Sequence, residues 1–266
     1  MDLGLDDPAA LRHFTQALHL VKEARETLDD VPAFPQPDSI VRNLQKHPVL
    51  GDPPVDLVLT LHQGARSAVE CLDQIRRFTE DAIPTEPFVI AALMRSALLA
   101  SARVIYVLGP ESPDEQTKHA MNILVQETDS LFRCYKSANR SSQLVALRVP
   151  QDVFDAQSAR QERLKESAPS RKFSETETLE GAAEIIGRRT QSRLDTEEIN
   201  TGAIMREHLL WMFNLYSGKA HGLGWPKLVH HQHDLPGDFA TDIHQLASLT
   251  EQAVRALRSA YAAPQP

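Results

Sequence analysis

The sequence predicts an all-α fold: one helical domain spanning 1–266, a bundle of six to eight helices around a buried central helix near 87–108. Three observations predict it. Apolar residues recur three, four or seven apart along most of the chain. No stretch shows the apolar–polar alternation of a half-buried strand. Proline-rich breaks separate the periodic stretches. At 266 residues the chain is long enough to bury a sizeable core.

The first helix follows Pro8, with Leu11, Phe14, Leu18, Val21 and Leu28 as its apolar stripe. A Pro-rich connector, 29–54, comes next and has room for a short helix at Ser39–Gln45. Leu61, Ala65, Ala68, Leu72, Ile75 and Phe78 mark a second long helix, broken by "AIPTEP". The third, "PFVIAALMRSALLASARVIYVL", is apolar all round, the mark of a helix buried on every side. Ser112, Pro113 and Glu115 compose a capping box for the fourth, which continues through Ile123, Leu124, Leu131 and Tyr135. A short charged helix falls near Val153–Leu164. The 165–200 stretch reads as a polar, partly exposed connection; inside it "SETE" caps a short helix ending at Gly187. Two more helices, Thr201–His221 and Gly237–Ala262, close the chain.

Net charge is −8, which weighs against a general electrostatic grip on nucleic acid. The two cysteines, Cys71 and Cys134, lie in helical patterns with no CxxC spacing, and are expected as buried free thiols in a reducing compartment. The acidic N-terminus lacks an apolar leader. Arg95 and Arg103 interrupt the most apolar helix before it reaches an uncharged span of about 18 residues. The expectation is a cytoplasmic protein with no membrane partner.

The chemistry concentrates in "NLYSGKAHGLGWP", Asn214–Pro226. On a helical wheel of about 100° per residue, Met205, Leu209, Met212, Phe213, Tyr216 and Ala220 gather on the core side. Glu207, Asn214 and His221 recur every seven residues and align opposite, with Ser217 and Gly218 beside them and Leu210 and Trp211 flanking. A merely solvated face rarely carries both of those apolar residues, so a groove or partner surface is one reading and a plain solvent face the other. Glu207, Trp211, Tyr216, Lys219 and Trp225 are the expected ligand-binding residues. His221 ends its helix, where the macrodipole favours a protonated imidazole, as proton exchange requires. A histidine there can equally cap its own helix's carbonyls. Arg95 shares a stripe with Phe88, Ala92, Leu99, Ala102 and Tyr106. It is expected to be mostly buried and paired with Glu70, Asp73, Glu127 or Glu207.

"FVIAALMRSALLASARVIYVLGP" followed later by "FNLYSGKAHG" resembles an uncharacterised bacterial branch of the HEPN-like helical superfamily. The resemblance covers two helices. It implies a ribonuclease or toxin-antitoxin type of protein, with Arg95, Ser217 and His221 matching in kind and spacing and Phe213 in place of a Tyr. Two positions depart. Asn214 stands where active members carry an arginine ahead of the histidine, and Leu99 where an early-helix Glu is expected. The resemblance therefore implies His221, Asn214, Arg95 and Ser217 as the site of an RNA-binding protein or a weak or inactive ribonuclease, metal-independent if it cleaves at all.

Two other readings stand beside it. One is a non-enzymatic interaction module whose polar groove holds a partner protein, a second copy of the chain or a small ligand. The other is a metal site at His230, His231, His233 and Asp234, completed by a distant histidine such as His208, His221 or His244. Adjacent ligands on one loop seldom wrap a single ion, so no metal or cofactor is expected. The sequence has no phosphate loop, nucleophile elbow or HExxH.

Overall fold

In the computed structural model, which describes residues 7–50, 56–143, 145–194, 200–223, 226 and 235–263, nine α-helices and no strand are found among the described residues. They are α1 (Pro8–Asp29), α2 (Ile40–Gln45), α3 (Leu57–Glu80), α4 (Pro87–Leu108), α5 (Pro113–Arg140), α6 (Gln151–Ser167), α7 (Glu175–Leu194), α8 (Thr201–Ala220) and α9 (Leu235–Tyr261). The all-α bundle is as expected, with α2 the short helix of the Pro-rich connector. Asp7, Ser39, Asp56 and Asn200 each cap a helix through the side chain.

α4 lies at the centre, packed by α3, α5, α7, α8 and α9. It is long and apolar enough to cross a membrane, yet most of its apolar window is buried inside the bundle. It is not buried on every side. Phe88, Ala92 and Ser96 are exposed, and from Ala97 to Leu108 every residue but the partly exposed Arg103 is buried. α1 and α9 form the tightest pair. Phe14 meets Phe239 near one end and Asp30 meets Arg258 near the other, so the two helices run parallel. The buried face of α1 is Ala10, Phe14, Ala17, Val21, Ala24 and Leu28, a heptad seam with alternating alanines. Leu11, placed in the stripe by sequence, is exposed instead. Small alanines let the backbones approach, and the seam rotates onto them.

α7 and α8 also cross closely. A Cβ on Gly187 would stand 2.3 Å from the Gly202 Cα, so no larger residue fits there at this spacing. The Ser174–Glu177 box opens α7 as expected: Ser174 N–H donates to Glu177 Oε2 at 2.7 Å, and Glu177 N–H to Ser174 Oγ at 3.2 Å. The helix then runs seven residues past Gly187 to Leu194. Much of the expected 165–200 connection is thus a core helix, with Leu179, Ala182, Ala183, Ile185 and Ile186 buried. Two further expectations fail. Ser112 caps α5 by position without a side-chain hydrogen bond. Cys134 is exposed and Cys71 half-buried.

Candidate functional site

The residues of the Asn214–Pro226 stretch meet a second helix at Arg95. Its Nε donates to Ser217 Oγ at 2.8 Å, and its Nη2 donates to Glu175 Oε2 at 2.9 Å. The guanidinium also lies over the Phe213 ring, 5.1 Å from the centroid. α4, α7 and α8 are tied together at this point. Phe213 retains the ring face that a tyrosine would offer a cation.

The carboxylate is not one of the four expected. Glu70 pairs with Arg66; Asp73 with Arg25, Arg76 and Arg77; Glu127 with Arg103. Glu207 is exposed on the far side of the polar line. Each of the first three has a cation closer to hand. Glu175 is 80 residues from Arg95, in the stretch read as connection. Its sequence signal was the capping box: the first turn of a helix stabilises a carboxylate there. Burial is also less than expected, because α4 is only half covered at this level. The Arg95 side chain is 27% exposed and that of Glu175 37%. Leu99, where the resemblance implies a Glu, is buried in the core. The carboxylate beside Arg95 comes from α7, at Glu175.

α8 carries the rest. Leu209, Met212 and Tyr216 are buried, while Glu207, Trp211, Asn214 and His221 are exposed, as the wheel arranged them; Leu215 and Gly218 are buried as well. Gly218 departs from its expected place beside the polar line. Asn214 and Ser217 lie three residues apart, and His221 follows Ser217 by four, so the three share one face across two turns. Ile204 and Trp211 add an apolar edge, 59% and 45% exposed.

His221 does not cap its own helix with its ring. The backbone does that. Gly222 N–H donates to the Lys219 carbonyl at 3.1 Å and Leu223 N–H to the Gly218 carbonyl at 3.0 Å, with Gly222 at φ +68. This leaves the imidazole free of that role, and it makes no hydrogen bond to any described residue. Lys219 lies with its ammonium 5.2 Å from the Tyr216 ring centroid. Tyr216 sits beneath the polar face, its hydroxyl donating to buried Asp242 at 2.6 Å. His208 Nε2 stands 3.7 Å from the other Asp242 oxygen, beyond hydrogen-bond length. Asp242 drew no attention in the sequence. Its helical spacing to apolar neighbours was the available signal for a buried carboxylate.

Trp225 and the cluster His230, His231, His233 and Asp234 lie outside the described residues. Among the described residues no three His, Cys, Asp or Glu side chains gather to hold an ion. A cleft of about 1090 Å³ opens beyond Glu175, between α5, α6 and residues 172–174, with Arg103–Glu127 and Lys165–Asp129 ion pairs on its walls. Against family models, curated proteins and solved structures the chain finds no match.

Proposed function

We propose that this is a HEPN-like helical binding protein that holds a partner protein on the exposed face of α8 and does not cleave RNA. The carrying observation is the engagement of Arg95. Ribonuclease chemistry needs a base at the ribose hydroxyl and a cation open to the developing phosphorane charge. Here the guanidinium is already shared between Glu175 and Ser217. Asn214 is uncharged, and Lys219 leans over a tyrosine ring.

The apolar edge favours a protein ligand. Half-exposed Trp211 and more exposed Ile204 border the polar line of Glu207, Asn214 and His221. Tryptophan is enriched among the residues that carry the binding energy of protein interfaces. RNA is the second reading, favoured by the same Trp211 as a stacking face beside Asn214 and His221. The charge balance weighs against it, since Glu175 and Glu207 flank the face and the chain totals −8.

The test uses the full chain with a photo-crosslinking amino acid at position 211 in cells, and labelled single-stranded RNA in vitro. The expected result is a discrete protein adduct, together with RNA that stays intact. RNA cleavage that His221→Ala abolishes would overturn the reading. RNA retained without cleavage, and lost in Trp211→Ala, would replace the protein partner by RNA.

A further inference from the structure

α7 and α9 both pack on α4, and where α4 ends a cleft of about 530 Å³ stays open between them. The volume falls within the range of small-molecule sites, about 300–1,000 Å³. It shares no residue with the α8 face.

The lining is uneven. Ile40, Leu108, Ala256 and Ala260 give it an apolar wall. Arg189 and Arg193 stand one turn apart on α7, and Arg255 lines it from α9. Among the described residues of the lining the only acidic one is Glu251, buried and ion-paired with Arg255. Three guanidiniums against one carboxylate leave two positive charges, in a chain whose total is −8.

The arginines are not spent elsewhere. Arg189 donates through Nη2 to the Gly109 carbonyl at 2.7 Å, which fixes its position at the end of α4 and leaves its other donors open. Arg193 has no partner among the described residues. Like charges lining one cleft repel, and an anion between them relieves that repulsion. Arginine's planar fork suits a phosphate in bidentate geometry. A phosphate monoester carries about two negative charges near neutral pH, which matches the residual charge of the lining.

We propose that this cleft binds a small, soluble organic phosphate monoester. Its phosphate would meet Arg189, Arg193 and Arg255, and its apolar part would cover Ile40, Leu108 and Ala260. Phenyl phosphate is a probe with both features. Isothermal titration into the full chain is expected to show saturable binding. Arg193→Ala should weaken it by about tenfold or more, the loss of a charged hydrogen bond. Arg193→Lys should also weaken it, because the ammonium lacks the fork. Arg193 is exposed, and circular dichroism checks that both variants fold.

Absence of saturable binding, or binding unchanged in both variants, would overturn the proposal. Inorganic phosphate binding as tightly as phenyl phosphate would overturn the role of the apolar wall. Vesicles containing phosphatidate separate a lipid headgroup from a soluble ester. No co-sedimentation is expected, and co-sedimentation lost in Arg193→Ala would overturn the soluble ligand. None of these outcomes bears on the α8 face.

Discussion

Arg95 makes a hydrogen bond, an ion pair and a ring contact at once, each modest because the group is partly solvated. An exposed ion pair is worth about 0–1 kcal/mol and a cation over an aromatic face about 0.5–1 kcal/mol. Arg95→Ala is therefore expected to destabilise by about 1–2 kcal/mol in urea unfolding, well short of the loss of a fully buried pair. A loss near 4 kcal/mol would mean that the site is closed to water. His119 gives the fold a pH dependence. It stacks on Tyr106 at 3.9 Å between ring centroids, and its Nδ1–H donates to the Tyr106 carbonyl at 2.6 Å. Burial lowers its pKa, with the carbonyl bond opposing. Burial also lowers His62, helped by Arg66, and His244, helped by His13. An imidazole lowered on folding binds fewer protons in the folded state. Its contribution is complete above the unfolded value, about 6.5, and is lost as pH falls below that. The urea midpoint should drop between about pH 7.5 and about pH 5.5. His119→Asn, which keeps a donor for the carbonyl, should flatten that slope.

Helix ends show how one backbone motif can be served by different residues. α8 stops on Gly222 in the left-handed region, where glycine is at ease. α3 stops the same way on Ala82: Ile83 N–H reaches the Phe78 carbonyl at 2.9 Å, Ala82 N–H the Thr79 carbonyl at 3.3 Å, and Ala82 has φ 50. An alanine pays about 1 kcal/mol there, from its Cβ against the carbonyl. Ala82→Gly is expected to stabilise by about 0.5–1 kcal/mol, less the entropy glycine loses on folding. A lower urea midpoint in that variant would show that α3 ends otherwise. The break itself was legible in "AIPTEP", but the handedness of Ala82 was not, since any of its residues might have taken the turn.

At the scale of the whole molecule, α4 organises the bundle, and five helices lean on it. Leu98 is 1% exposed at its middle. Leu98→Ala should cost about 2–5 kcal/mol, because the surrounding helices cannot collapse into the space from every side. Denaturant titration checks this, and a loss below about 1 kcal/mol would remove α4 from the centre. The centrality of α4 was readable in its apolar run. The half-exposure of its first turns was not, because an apolar side chain such as Phe88 carries no mark of whether a neighbour reaches it.

The sequence by itself determined the helices, most of their boundaries, and which side of α8 meets the core. These follow from the local period of apolar residues and from caps, both written within a few residues of where they act. Only the tertiary structure decided that Glu175 partners Arg95, that Asp242 holds Tyr216, and that three arginines line the one α7–α9 cleft. Those residues are distant in the chain. A side chain's charge says what kind of partner it needs, but which partner comes within reach is set by how the helices pack.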